Sequence, residues 1–257
     1  QKAIAEAKKV GTVHIAASSE DTKFDRIPDV APIKYSDNPA YVHFTSNNTI
    51  YGTQWTAEPP VPAGVPLVCD ASSDIYSRPI DVSKYGLIYA GAQKNLGPSG
   101  VTLVIIRDDL ADLGSRDLPI LLQYRTHVKD GSMHNTPNTF GIYLMGLVMK
   151  WGLAQGGLDA INVVNTRKAD KLYAEIDRTG FYRGHAAKDS RSRMNVTFRL
   201  PSEELEKTFA KQATAAGLSP DDFATQQAET WTKGLLGWGL TAQHIRGLRA
   251  RTDFTIY

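Results

Sequence analysis

The sequence predicts an α/β protein with a mixed, mostly parallel sheet, helices on both faces and a small C-terminal α/β lobe. Up to about residue 157, short apolar runs alternate with polar loops and helical stretches, which is the pattern of strands connected by helices. A longer apolar segment at helical spacing, residues 139–153, then leads into a second group of elements. The chain has 257 residues, of which 42% are hydrophobic and 22% are charged, as in ordinary globular proteins.

The predicted elements follow from hydrophobic periodicity. A helix is expected over residues 1–9, where Ala3, Ile4 and Ala7 recur at helical spacing and Gly11 follows as a C-cap. Two loops are expected where prolines cluster, over residues 24–40 and 56–66. The strand candidates are residues 13–17, 41–45, 67–70, 87–89 and 101–106.

The second group of elements defines a predicted domain boundary. The helix over residues 139–153 is followed by Gly156 and Gly157, which interrupt the helical pattern. Beyond them we predict a helix over 158–177, a strand over 193–200, and a further helix for which Ser202 is the N-cap. Residues 1–157 are therefore predicted to form a large domain and residues 158–257 a small one.

Charge and cysteine content exclude some classes of protein. The formal net charge is only +2 and no block of basic residues occurs, so nucleic acid is not an expected partner. No apolar run has the length of a membrane span, and no signal-peptide pattern opens the chain, so no membrane partner is expected. The single cysteine, Cys69, cannot form an internal disulfide and is expected in the core, which fits a cytoplasmic protein.

Lys94 is the most informative residue of the chain. It lies among small and polar residues between the apolar runs 87–89 and 101–106, where a charge that serves only solubility is unusual. A lysine shielded from water has a lowered pKa, and its neutral amine is a nucleophile that forms imines. We therefore expect Lys94 to be shielded and imine-forming; the alternative is an ordinary lysine in a surface turn.

Asp70 ends the preceding apolar run. Ligands of open α/β sheets bind beyond the carboxyl ends of the strands, where this carboxylate is expected. Pyridoxal phosphate requires a lysine for its Schiff base, an acid for its pyridinium nitrogen and polar donors for its phosphate. Lys94 and Asp70 supply the first two groups at successive strand ends. The alternative for Asp70 is a helix cap or turn acid.

Several long segments, in order, resemble the phosphoserine aminotransferases, a class V aminotransferase family of pyridoxal-phosphate enzymes with fold type I. The resemblance runs from near Gln1 to about Leu218. The segments that carry it are residues 45–55 (TSNNTIYGTQW), 69–82 (CDASSDIYSRPIDV), 89–98 (YAGAQKNLGP), 133–143 (MHNTPNTFGIY) and 191–196 (RSRMNV).

The resemblance implies a role for each matching residue. Lys94 matches the Schiff-base lysine, Asp70 the acid at the pyridine nitrogen, and Thr49 the threonine that binds the phenolic oxygen of the cofactor. Gln93 matches a phosphate-binding glutamine. Asn135 and Thr136 match residues that reach the phosphate in the neighbouring subunit, so the resemblance implies a homodimer with shared active sites.

The chain also departs from the family pattern. It opens without the upstream segment that carries the family's glycine-rich phosphate turn, ring-stacking aromatic and substrate arginine, and it diverges after about Leu218. By the resemblance, we expect this chain alone to bind pyridoxal phosphate weakly, to have little or no transaminase activity and to expose apolar surface. Arg191 and Arg193 face one side of an extended segment, as either substrate ligands or structural ion-pair partners.

The resemblance implies transamination between phosphoserine or 3-phosphohydroxypyruvate and 2-oxoglutarate or glutamate, in serine biosynthesis. Two alternatives remain at this point. The chain is a truncated, non-catalytic homologue, or it is another fold-type I aminotransferase that acts on a different amino acid.

Overall fold

A computed structural model describes residues 2–30 and 33–215 of the chain. The helices are α1 (Lys2–Ala7), α2 (Asp108–Ala111), α3 (Tyr124–Lys129), α4 (Thr139–Ala154), α5 (Gly157–Thr179) and α6 (Glu203–Ala215). The strands are β1 (Val42–Thr45), β2 (Asn47–Asn48), β3 (Thr53–Gln54), β4 (Leu67–Asp70), β5 (Leu87–Gly91), β6 (Thr102–Ile106), β7 (Arg183–Gly184) and β8 (Phe198–Arg199).

The central sheet has the strand order β1-β4-β5-β6. Strands β1, β4 and β5 are parallel, and β6 runs antiparallel beside β5. The predicted mixed, mostly parallel sheet is therefore confirmed. The register aligns Thr45 with Asp70 and Asp70 with Tyr89, so the last residue of β4 lies between side chains of both neighbouring strands.

Two predicted strands were wrong in whole or in part. Residues 13–17 form no strand, since their backbone pairs with no other strand in the described part of the chain. Of residues 193–200, only the pair Phe198–Arg199 is extended and paired, against β7. The segment before it forms no ladder, because its polar groups bond side chains instead of backbone groups: the Arg193 N–H donates to Gln54 Oε1, and Asn195 Oδ1 accepts Asn47 Nδ2.

One face of the sheet packs into the main hydrophobic core. Phe44, Cys69, Ile88 and Ala90 alternate with the half-exposed residues of their strands, and Ile88 is only 1% exposed. Because successive side chains of a strand point to opposite faces, the other face carries His43, Asp70 and Tyr89. These three are half-buried. The sheet thus separates an apolar core from a face with polar side chains.

Helices α4 and α5 match the predicted segments closely. The Asn138 side chain caps α4 by accepting the N–H of Gly141 at 3.0 Å. Tyr76 holds the middle of α4 by donating its hydroxyl to the carbonyl of Met149 at 2.8 Å. Gly156 and Gly157 both have positive φ, a conformation that glycine adopts without steric cost, and they separate the two helices.

The chain divides into two compact units, residues Gln1–Arg199 and Leu200–Tyr257. In the second unit the structure describes α6, which begins after Ser202; the Ser202 hydroxyl accepts the N–H of Leu205 at 3.3 Å, as expected of an N-cap. The predicted division at residues 157 and 158 stays a prediction. Residues 219–257, which were expected to diverge from the family, lie outside the described residues. Among the described helices, none combines the length and apolar character needed to cross a membrane.

The buried sheet face leads to a stability prediction. Replacing Ile88, which is 1% exposed, by alanine should lower the free energy of unfolding by about 3 kcal/mol, because lost burial and a residual cavity both contribute. Urea denaturation followed by circular dichroism measures this change. Val163→Ala on α5, where the side chain is 68% exposed, is the control and should change stability by less than about 0.5 kcal/mol. Equal losses in both variants would contradict this placement of the core.

Candidate active site

Lys94 and Thr49 meet at the carboxyl-end edge of the sheet. Lys94 lies in the turns that follow β5, and its Nζ donates a hydrogen bond to Thr49 Oγ1 at 2.6 Å. These residues are 45 positions apart in the sequence. The structure therefore brings together two of the residues that the resemblance assigned to a single site.

The expectation that Lys94 is shielded from water was wrong for this chain. Its side chain is exposed, because the turn projects it beyond the sheet edge and no described residue lies over it. Its immediate neighbours are nevertheless packed: Ala92 and Leu96 are both 0% exposed. The backbone that carries Lys94 is thus fixed in the core while the amine remains accessible.

A short hairpin, β2 with β3, presents Thr49. Asn48 shapes its turn, since its side-chain oxygen accepts the N–H groups of Ile50 and Tyr51 at 3.0 and 3.1 Å. Gly52 closes the turn with a φ of 69°, and a Cβ at this position would lie 2.5 Å from Thr197 Oγ1 and 2.8 Å from the Asn195 carbonyl oxygen. Only glycine fits there, so the turn and the position of Thr49 are tightly specified.

Asp70 is held at the end of β4 by hydrogen bonds to backbone groups on either side. Its Oδ1 accepts the N–H of Ser72 at 3.0 Å, and its carbonyl oxygen accepts the N–H of Ser46 at 3.0 Å. Ser72 is bonded in turn to β5, because its hydroxyl oxygen accepts the N–H of Gly91 at 3.1 Å. The carboxylate is half-buried and fixed in direction, which suits it to pair with a ligand group above the sheet edge.

The side chains beside Asp70 are neutral near physiological pH. Burial lowers the pKa of His43, against the opposing effect of the Asp70 charge. Burial raises the pKa of Tyr89, and the Asp70 carboxylate raises it further. His43 Nε2 and the Tyr89 hydroxyl are 3.0 Å apart. His43 is therefore part of a hydrogen-bonded pair on the sheet face that carries Asp70.

Gln93 lies next to Lys94 on the exposed side of the same turn. Its side-chain amide folds over Gly91, where an added Cβ would collide with it.

Asn135 and Thr136 lie in a different region, the exposed loop before α4, and line a shallow depression with Met133, His134 and Pro137. In the part of the chain that the structure describes, neither hydrogen-bonds to Lys94, Thr49 or Asp70.

Arg191 serves the structure of the protein. Its guanidinium makes two hydrogen bonds to the Asp177 carboxylate, at 2.7 and 2.8 Å, and lies 4.4 Å from the centre of the Tyr173 ring. The hydrogen bonds from Arg191 lower the pKa of Asp177 to about 2. Arg193 bonds Asn162 Oδ1 at 3.3 Å. Of the two interpretations given for these arginines, the structural ion pair is the correct one for Arg191.

The sequence analysis did not identify three residues that hold the site together, Ser46, Ser72 and Asp74. Asp74 is 5% exposed and lies one turn after Asp70. The only available signal was the spacing in Asp70-Ala71-Ser72, since an aspartate often accepts the N–H two residues ahead.

No group of three or more histidine, cysteine, aspartate or glutamate side chains among the described residues is arranged to hold a metal ion.

Comparison with known proteins identifies relatives over most of the chain. The family described as Aminotransferase class-V matches residues 2–219, which ends where the sequence was predicted to diverge. A phosphoserine aminotransferase of Herpetosiphon aurantiacus is 57% identical over 219 residues, which are 85% of this chain and 61% of that protein. The chain thus spans about three fifths of the length of this relative.

Solved structures agree with this match. A phosphoserine aminotransferase from Bacillus circulans subsp. alkalophilus is 52% identical, with a TM-score of 0.82, and the match covers 84% of this chain and 60% of that one. A phosphoserine aminotransferase from Trichomonas vaginalis, solved with bound PLP, is 35% identical, with a TM-score of 0.79 over 85% of this chain and 63% of that one. The chain belongs to the class-V aminotransferase family and has the fold of the phosphoserine aminotransferases.

Proposed function

We propose that this protein catalyses pyridoxal-phosphate-dependent transamination between phosphoserine or 3-phosphohydroxypyruvate and 2-oxoglutarate or glutamate. The observation that carries the proposal is the contact between Lys94 Nζ and Thr49 Oγ1, 2.6 Å long, at the sheet edge where Asp70 ends β4. The relatives that match 57% and 52% of positions are named phosphoserine aminotransferases, which supports the substrate assignment.

The side chains at the sheet edge fit pyridoxal phosphate chemically. An accessible amine, a hydroxyl, a fixed carboxylate and an amide come from Lys94, Thr49, Asp70 and Gln93. These are the groups needed for covalent attachment, for the phenolic oxygen, for the pyridinium nitrogen and for the phosphate. When bound, the cofactor supplies an electron sink that makes the Cα proton of an amino acid acidic.

Each residue then has a defined task. Lys94 Nζ would hold the cofactor covalently, and as a free amine it would accept the Cα proton of the amino-acid substrate and give a proton back. Thr49 Oγ1 orients the amine before attachment, through the hydrogen bond seen here. Asp70 would hold the ring nitrogen in its protonated form, since its carboxylate is fixed by the Ser72 N–H and flanked by the neutral His43 and Tyr89. Gln93 contributes to binding of the phosphate.

The remaining proposals concern assembly and location. We infer a cytoplasmic homodimer in which Asn135 and Thr136 complete the phosphate site of the partner subunit. Their exposed loop supports this, as does the apolar loop 118–122, in which Leu118, Ile120, Leu121 and Leu122 are 40–66% exposed. Apolar side chains in such a cluster are a feature of protein interfaces. The domain division at residues 157 and 158 is retained as part of the proposal.

Lys94→Ala should abolish covalent attachment of the cofactor, because no amine remains at that position. Protein incubated with pyridoxal phosphate is reduced with borohydride and digested, and the labelled peptide is found by mass spectrometry. Lys94→Arg is the matched control, since it keeps the positive charge but cannot be attached by reduction. Lys84→Ala, at a lysine paired with Glu58 away from the site, should label normally. Label distributed equally over other lysines in the unmodified chain would contradict the assignment.

Asp70→Asn should preserve cofactor attachment at Lys94 and slow amino transfer by about 100-fold or more. The amide oxygen can still accept the Ser72 N–H, but the charge that stabilises a protonated ring nitrogen is lost. Single-turnover transfer from glutamate at saturating cofactor measures the effect. Asp109→Asn, which removes an exposed carboxylate paired with Arg107, is the control. Near-normal amino transfer in Asp70→Asn would show that a group other than Asp70 stabilises the protonated ring nitrogen.

The proposed dimer interface is tested by the double change Leu121→Asp and Leu122→Asp. Two charges in the apolar loop 118–122 should shift the protein from dimer to monomer, because an unpaired charge is costly to bury in an interface. Sedimentation equilibrium measures the change. Val163→Asp, at a 68% exposed position on α5, is the control and should leave the dimer intact. A monomeric parent protein, or a dimer unaffected by both changes, would contradict the proposal.

A further inference from the structure

The hairpin that carries Thr49 has too little backbone pairing to hold its own position. Strands β2 and β3 pair at Asn47–Gln54 and Asn48–Thr53, and the Trp55 N–H donates to the Ser46 carbonyl at 2.9 Å beside them. An isolated two-stranded hairpin is marginally stable at best, even with longer strands than these. Backbone contacts also hold the hairpin, because the Ser192 N–H donates to the Gly52 carbonyl at 2.8 Å and Thr53 forms a bridge with Arg191. The position of Thr49 against Lys94 Nζ depends on these contacts together with side chains that anchor the ends of the hairpin to the rest of the fold.

One buried carboxylate anchors both ends of the hairpin. The Asp74 carboxylate accepts a hydrogen bond from the hydroxyl of Ser46, which immediately precedes β2. Its other oxygen accepts Gln54 Nε2, from the last residue of β3, at 3.0 Å. Asp74 is 5% exposed, and hydrogen bonds to a carboxylate in such a setting are strong. A single side chain thus clamps the two ends of the segment that presents Thr49.

The same clamp reaches Asp70. Ser46 donates its backbone N–H to the Asp70 carbonyl oxygen at 3.0 Å, and its hydroxyl lies 3.2 Å from that oxygen. Asp74 is connected to Asp70 within its own turn as well, because the Asp74 N–H donates to the carbonyl of Ala71 at 3.1 Å. The side chain of Asp74 therefore joins the segment that carries Thr49 to the strand end that carries Asp70.

Asp74 also fixes the orientation of the Gln54 amide. With Nε2 bonded to Asp74, the amide oxygen Oε1 faces the N–H of Arg193 and accepts it at 2.9 Å. A reversed amide would place a donor against a donor. A second, neutral anchor holds the hairpin through Asn47, whose Nδ2 donates to Ser73 Oγ at 2.8 Å and to Asn195 Oδ1 at 2.7 Å. Loss of Asp74 should therefore loosen the hairpin without unfolding it.

We propose that Asp74 is a positioning residue, which acts through Ser46 and Gln54 to hold Thr49 against Lys94 and to fix the end of β4 at Asp70. The proposal rests on the function proposed above for Lys94. Burial raises the pKa of Asp74, and the donated bonds from Ser46 and Gln54 oppose that effect. What the site needs from Asp74 is its pair of acceptor positions, held in place by the surrounding core.

Asparagine at position 74 separates this role from a requirement for charge. Its Oδ1 can accept Gln54 Nε2, and its Nδ2 can donate to Ser46 Oγ, whose hydrogen then turns to the Asp70 carbonyl oxygen 3.2 Å away. The Ser46 and Gln54 side chains then both keep a hydrogen-bond partner at position 74. Asp74→Ala, in contrast, leaves the Gln54 amide without its buried acceptor and the Ser46 hydroxyl with the Asp70 carbonyl oxygen alone. Asp74→Asn should therefore rescue what Asp74→Ala loses.

Two measurements on the whole chain test the proposal. Hydrogen–deuterium exchange of the cofactor-free protein reports the hairpin, through peptides that cover residues 46–54. The rate at which borohydride-trapped pyridoxal phosphate accumulates on Lys94 reports the position of the amine. Asp74→Ala should speed exchange in the hairpin and slow trapping by about 10-fold or more, because small misplacements of a reacting group cost large factors in rate. Asp74→Asn should match the parent protein in both.

The controls separate positioning from general stability. Tyr85→Phe removes a hydrogen bond of 3.0 Å to Glu58 at a residue that is 6% exposed, away from the hairpin, and should leave hairpin exchange and trapping unchanged. If Asp74→Ala does not fold, Ser46→Ala serves in its place, since it removes one bond to Asp74 and keeps the backbone bond to Asp70; it should show the same two effects more weakly.

Several outcomes would overturn the proposal. An unchanged rate of cofactor trapping on Lys94 despite faster exchange in the hairpin would show that Asp74 has a structural role only. Equal defects in Asp74→Asn and Asp74→Ala would show that the negative charge of Asp74, and not its acceptor positions, is required. Unchanged exchange in Asp74→Ala would show that the hairpin does not depend on it. If the parent protein itself is not labelled at Lys94, the proposed function fails, while the exchange comparison still decides whether Asp74 anchors the hairpin.

Discussion

The parallel register of β1, β4 and β5 is the constraint on which the site depends. Because parallel strands end at one edge of a sheet, the segments that follow these strands all start from the same place. The hairpin with Thr49 follows β1, the turn with Asp74 follows β4, and the turn with Lys94 follows β5. A slip of one residue in β4 would turn Asp70 into the core and Cys69 outward, so packing of the apolar face also sets the direction of the carboxylate.

The carboxylates of Asp70 and Asp74, in one turn, differ in their surroundings and in the groups that they contact. Asp70 is half-buried, is fixed by the N–H of Ser72 and faces the polar side of the sheet. Asp74 is 5% exposed and accepts donors from both ends of the hairpin. A buried carboxylate without donors would destabilise the fold, because desolvation of a charge is costly unless hydrogen bonds offset it. The hairpin supplies those donors, so the burial of Asp74 and the position of Thr49 depend on each other.

The sequence predicted local structure and missed what depends on neighbours in space. The strands at 67–70 and 87–89 and the helices α4 and α5 were accessible from periodicity, whereas the meeting of Lys94 with Thr49 at one site was implied by the family resemblance. The antiparallel direction of β6 was not, since an apolar run gives no direction. The apolar pattern of residues 13–17 also lacked a strand partner. Asp74 was overlooked because its partners, Ser46 and Gln54, are 28 and 20 positions away and look like ordinary loop residues.

Positioning of Lys94 and exclusion of water from its amine are separate requirements. The expectation of a shielded lysine assumed that the same residues meet both. The described residues accomplish the first, because Ala92 and Leu96 fix the turn in the core and Thr49 orients the amine. The second needs a surface laid over the sheet edge, which residues 2–30 and 33–215 do not supply. A covering surface would strengthen every electrostatic interaction beneath it, including that of Asp70 with a ring cation. The described residues thus account for the position of the Lys94 amine, and shielding of that amine from water is a separate requirement.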